Sequence, residues 1–277
     1  MTTFLKFILS HSIFIAFCAA ALSYQTVQLL QLDADLFLYG FIFFATLSSY
    51  NVYWLLSKYN YGTVFYVAVF FKKEQWKIVL LIIACGATLL CYLQSQLYFF
   101  YVLPAVLLNV IYIIPLIRIN AFNFTRKAGF VKTVLLATTW TYVTAFLPMQ
   151  KAIEFIDTAD LFMLASRFLF MLLLCIIFDS RDIAIDKIRG FKSLATELKP
   201  AILHLVVLMN IVLLIGINML FAFNGITFYQ SIGLQTALLA TVVAYKFSFH
   251  QQGYFFYYFL IDGLMIFSAL ATFIASI

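Results

Sequence analysis

The chain has 277 residues, of which 65% are hydrophobic and only 10% charged, and its mean hydropathy is +1.05. Globular domains average roughly 45–50% apolar and about 25% charged residues, so a water-soluble domain, a disordered chain and a disulfide-stapled mini-domain are excluded. The net charge of +6 then reads as topology and attraction to anionic lipid, not as a nucleic-acid partner.

A membrane-spanning helix needs about 20 mostly apolar residues. In chain order, nine stretches qualify: roughly 7–30, 35–56, 77–94, 97–117, 130–149, 160–178, 201–222, 226–245 and 254–276. They are continuous rather than alternating, which argues against a barrel. The expected fold is all-α: one membrane-embedded domain over residues 1–277, a bundle of nine transmembrane helices. The first stretch imitates a signal peptide, with Lys6, an apolar run and Ala19-Ala20-Ala21. It is too long for one, and Tyr24, Gln25 and Gln28 continue it on helical spacing, so it reads as a retained helix. Only Gln94-Ser95-Gln96 separates the third and fourth stretches, which predicts an antiparallel hairpin. Pro104 should kink the fourth.

Basic residues alternate with the stretches. Lys6, then Lys58, Lys72, Lys73 and Lys77, then Arg118, Arg126, Lys127 and Lys132, then Arg181, Lys187, Arg189, Lys192 and Lys199, and finally Lys246 fall on one side: 15 of 17. The opposite loops hold Lys151 among Asp33, Asp35, Glu154, Asp157 and Asp160. The positive-inside rule predicts a multi-pass protein of the cell membrane with its N-terminus cytoplasmic and its C-terminus outside. Cys18, Cys85, Cys91 and Cys175 sit in apolar helices without metal-ligand or redox spacing and read as packing residues. His11, His204 and His250 are scattered, which fits packing or interfacial roles.

One cytoplasmic segment, residues 178–196, stands apart. If the sixth helix continues past the membrane surface, Asp179, Asp182 and Asp186 lie at i, i+3 and i+7 on one narrow face. Three clustered carboxylates repel one another unless a cation joins them, and hard divalent cations take oxygen ligands. Arg181, Lys187, Arg189 and Lys192 stand around them, and metal-binding carboxylates beside phosphate-binding cations suit a diphosphate group. Gly190 is placed to end or bend the helix. A solvated, mixed-charge helix extension is the plainer reading of the same residues.

The pattern D-x-x-D-x-x-x-D-x-x-x-G-x-x-x-L-A after an apolar helix resembles the second aspartate-rich motif of the UbiA superfamily of membrane prenyltransferases. Tyr112-Ile113-Ile114-Pro115-Leu116-Ile117-Arg118, with Lys132, Trp140 and Pro148, extends the similarity. The resemblance implies nine helices and transfer of an isoprenyl chain from a polyprenyl diphosphate to a lipophilic or aromatic acceptor. It further implies magnesium held by Asp179, Asp182 and Asp186, and a diphosphate site including Arg181, Lys187, Arg189, Lys192, Asn51, Tyr112 and Arg118. The family's first motif, N-x-x-x-D-x-x-x-D, meets Asn51 here, followed by Leu55 and Tyr59 where carboxylates are expected. That departure keeps a non-catalytic prenyl-lipid-binding protein or assembly factor open beside the enzyme. Arg167 and Asp262 lie inside apolar stretches, where charge is costly, and are expected to pair or to line a central cavity. Such charges also suit a transporter, although no internal repeat supports one.

Overall fold

The computed structural model describes residues 3–61, 74–113, 129–150, 156–189, 193–249 and 253–277, without the side chains of residues 3, 58–61, 129, 182 and 184–189. All regular structure among the described residues is helical: α1 (Thr3–Ser10), α2 (Ile13–Leu29), α3 (Leu36–Tyr61), α4 (Gln75–Gln94), α5 (Phe99–Ile113), α6 (Gly129–Thr141), α7 (Thr158–Arg189), α8 (Leu194–Glu197), α9 (Pro200–Asn224), α10 (Phe228–Phe247) and α11 (Asp262–Ile274). A π-helical turn extends α6 over Tyr142–Phe146, and another, Phe256–Ile261, leads into α11. Each of the nine apolar stretches carries helix among the described residues. Among the described residues five spans are long and apolar enough to cross a membrane: Leu36–Ser57, Gln75–Gln94, Thr158–Arg181, Pro200–Asn224 and Phe256–Ile274. The α1–α2 pair makes a sixth if its two bent halves count as one.

Two expectations are corrected. The first stretch is not one helix: α1 and α2 meet at 69°, with Ser12 in the left-handed region at φ 63°. The break leaves the His11 carbonyl in need of a donor, and the Asn51 amide supplies it at 3.2 Å. The expected hairpin between the third and fourth stretches also fails to pack as such, because α4 lies chiefly on α3 and α5 on α6. Gln150 explains the divergence. Its carboxamide accepts from the Tyr98 N–H and donates to the Gln96 carbonyl, both at 3.0 Å, which ties the 95–98 connection to the far end of α6.

Six helices close into a ring: α2 packs on the π turn that extends α6, α6 on α7, α7 on α9, α9 on α10, α10 on α11, and α11 back on α2, while α3 joins through α2 and α5 through α6. Lipid tails are as apolar as leucine, so close van der Waals packing and interhelical hydrogen bonds hold such helices together. Gly233 of α10 provides the first, since a Cβ there would stand 2.8 Å from the Ala271 carbonyl oxygen of α11. Gln25 of α2 provides the second, donating to the Ser268 carbonyl (2.9 Å), the Ser268 hydroxyl (3.0 Å) and Thr272 Oγ1 (3.1 Å) of α11. Helix α7 is the most buried of the spans, with Leu173, Leu174, Ile176 and Ile177 sealed in the main core. Much of α4 instead faces outward, through Ile82, Ile83, Leu89, Leu90 and Leu93.

Candidate functional site

Helix α7 runs unbroken from Thr158 to Arg189, so Asp179, Asp182 and Asp186 share one helical backbone, spread over about 10 Å at 1.5 Å per residue. Asp179 is buried, and its Oδ2 accepts a 2.5 Å hydrogen bond from the Thr133 hydroxyl of α6. Thr133 Oγ1 in turn accepts from the Leu194 N–H at the start of α8 (3.4 Å). A Ser193–Thr196 capping box sets that start. One threonine therefore joins the Asp179 carboxylate to the segment that folds back after α7.

Two residues along α7, Arg181 faces a different wall. Its guanidinium lies 5.4, 5.0 and 4.9 Å from the ring centres of Phe178, Tyr257 and Tyr258, within cation–π range. Tyr257 and Tyr258 belong to the π turn before α11, which Asp262 opens. The Asp262 backbone carbonyl accepts from the Cys18 thiol of α2 (3.3 Å).

Beside this group lies an aromatic pocket between α3, α5 and α6, walled in part by Tyr50, Tyr53, Asn109, Tyr112 and Trp140. Tyr112 stacks on Tyr53 at 5.6 Å. Trp140 packs edge-on to Tyr50 at 6.2 Å. Ring contacts join the Arg181 cage to this pocket, from Tyr258 to Trp54 (6.4 Å) and from Trp54 to Tyr53 (5.8 Å). Its lining is mostly apolar, with tyrosine and threonine hydroxyls and the Asn109 carboxamide set among the rings.

The structure brings Asp179, Arg181, Tyr112 and Asp262 into one region. Asn51 is buried elsewhere, its amide committed to the carbonyls of His11 and Leu47 (3.2 and 2.8 Å). The expected pairing of Arg167 with Asp262 is not formed. Arg167 donates to the Leu22 carbonyl and Thr26 Oγ1 of α2, whereas Asp262 meets the same helix at Cys18, one to two turns away. Arg118 and Lys192 lie outside the described residues, as do the side chains of Asp182, Asp186, Lys187 and Arg189. Among the described residues no three metal-ligating side chains gather. The carboxylate oxygens of this motif are of the donor type a hard cation takes.

Thr133, Tyr50, Tyr53, Tyr257 and Tyr258 were not singled out from the sequence. Tyr50 and Tyr53 do share a face of α3 at i, i+3, a signal that 33 Phe and 17 Tyr in one chain obscure. Thr133 carried no signal at all. Asn218 joins two helices as an intramembrane asparagine should, accepting from Ser166 at 2.6 Å. Neither carboxamide atom of buried Asn210 is hydrogen-bonded among the described residues. His204 meets the Tyr245 hydroxyl at 2.9 Å, a packing role. A comparison with models of known protein families finds no match, and neither a curated protein nor a solved structure matches the chain.

Proposed function

We propose that the chain is an intramembrane prenyltransferase of the kind its aspartate motif resembles. In this reading it is a nine-span bundle of the cell membrane, N-terminus cytoplasmic, that moves an isoprenyl chain from a polyprenyl diphosphate to a lipophilic or aromatic acceptor. The observation that carries the reading is the buried Asp179 and the aromatic-caged Arg181 on α7, with Tyr258 of that cage joined through Trp54 to the wall of the aromatic pocket. An amphiphile with a diphosphate head and an apolar tail requires that pairing of a polar mouth with a hydrophobic slot.

Asp179, Asp182 and Asp186 would hold magnesium, which supplies charge neutralisation for the leaving diphosphate. Arg181, Lys187, Arg189 and Lys192 would hold phosphate oxygens as the allylic carbon–oxygen bond breaks and both its electrons leave with the diphosphate. Tyr53 and Tyr112 flank the space where the allylic cation would form, and aromatic faces stabilise positive charge. Bonding to an aromatic acceptor carbon, followed by loss of its proton, completes the transfer.

Binding without transfer is the second reading, and one observation favours it. Asn51 is occupied with the α1–α2 break, and α3 contains no carboxylate over its whole length. The test is incubation of the purified chain with magnesium, farnesyl diphosphate and a membrane lipid extract. Release of diphosphate together with a prenylated product supports transfer. Bound but intact farnesyl diphosphate selects the binding reading. Coupled solute flux in vesicles without farnesyl diphosphate binding selects a transporter.

A further inference from the structure

We infer that α1 is a membrane-surface helix: it lies in the headgroup layer of the bilayer, with Phe4, Phe7 and Ile8 at the acyl boundary and Lys6 among anionic lipid headgroups. The inference is independent of the chemistry on α7 and rests on α2 crossing the bilayer. Helix α2 holds 17 residues, about 26 Å at 1.5 Å per residue. That is the short end of what spans a hydrocarbon core about 30 Å thick. The span is therefore complete at the Ser12 bend, without α1. At 69° to α2, the eight residues of α1 run nearly crosswise to the span, close to the plane of the membrane.

The bend is built into the fold. Ser12 stands in the left-handed region. The Phe7 carbonyl accepts from the His11 N–H (3.1 Å), the Leu9 carbonyl from the Ser12 N–H (3.4 Å), and the His11 carbonyl from the Asn51 amide of α3. The His11 ring stacks on Phe7 at 4.1 Å, and buried Leu9 seats α1 against the bundle. Around α1, at about 100° per residue, Phe4, Phe7 and Ile8 share one arc, while Lys6 and Ser10 fall on the far side. Phe4 is 73% and Phe7 43% exposed, which is apolar surface that water disfavours. Lys6 is exposed too, and its charge is costly in hydrocarbon. A helix with one apolar and one basic face satisfies both demands by lying in the interface. Lys6 belongs to the side that gathers 15 of the 17 basic residues, so charge complementarity selects an anionic lipid surface.

The experiment is spin labelling of Phe4→Cys, Lys6→Cys and Phe7→Cys, one at a time, in the full chain with the less buried Cys85 and Cys91 replaced by alanine. A sample without the added cysteine corrects for any label on buried Cys18 and Cys175. The chain is placed in nanodiscs of phosphatidylcholine, with or without phosphatidylglycerol, and each label's accessibility to dissolved oxygen is compared with its accessibility to a water-soluble nickel chelate. The oxygen-to-nickel ratio should be severalfold higher at positions 4 and 7 than at position 6. Adding Lys6→Glu should lower the ratio at position 7 in discs containing phosphatidylglycerol and leave it unchanged in phosphatidylcholine alone. Nickel-accessible labels at all three positions would put α1 in water, and oxygen-favouring labels at all three would make it half of a broken span. Either pattern, or a ratio at position 7 that ignores Lys6→Glu in both lipids, would overturn the assignment.

Discussion

Thr133 shows how much depends on one hydroxyl. It donates to Asp179 and accepts from the Leu194 backbone, so three helices meet at a single oxygen. Removing it takes one hydrogen bond from a buried carboxylate, and hydrogen bonds to charged groups contribute about 1.5–3 kcal/mol. Thr133→Val should therefore lower unfolding stability in micelles by that order, while Thr133→Ser stays close to wild type. An equal loss in both would point to packing instead. Asn51 makes the opposite case. Its amide closes the α1–α2 break, so Asn51→Ala should lower thermal stability yet leave farnesyl diphosphate affinity within about twofold, less than one hydrogen bond is worth. Asp179 was legible in the sequence because an i, i+3, i+7 spacing is a property of the chain itself. Thr133 was not, because its role arises from contact with a residue 46 positions later.

Elements were the most legible scale. Long apolar runs mark helices whatever their neighbours, and each predicted stretch carries helix among the described residues. The bend at Ser12 was hidden, because a left-handed serine leaves no imprint on apolar periodicity. The parting of α4 from α5 was hidden as well, since it depends on the distant Gln150 side chain. Close approach of elements is testable at Gly233. A Cβ there meets backbone of α11 at 2.8 Å, which a flexible side chain cannot relieve. Gly233→Ala should destabilise the bundle by about 1–3 kcal/mol, the usual cost of overpacking, in chemical unfolding of the purified protein. The π turns escape sequence reasoning too. They set the positions of Tyr257 and Tyr258 around Arg181.

At the scale of the molecule, the ring closes where α11 returns to α2 through Gln25, Ser268 and Thr272. A small polar pocket lies between the ring helices beside Arg167, and the aromatic pocket lies between α3, α5 and α6. The charge asymmetry of the loops predicts orientation. Asp157 and Lys199, both exposed, flank α7 and α8. In a chain lacking its native cysteines, a membrane-impermeant maleimide should label Asp157→Cys but not Lys199→Cys in intact cells, and the reverse pattern would invert the topology. The central claim is that the aspartate face of α7 holds a prenyl diphosphate through magnesium. Its most direct test is binding of labelled farnesyl diphosphate to the purified chain with magnesium or with chelator. The account predicts saturable binding that chelator abolishes and that Asp179→Asn and Asp186→Asn each weaken by at least about tenfold, the equivalent of about 1.4 kcal/mol. Binding indifferent to magnesium, or unchanged in both variants, would contradict it.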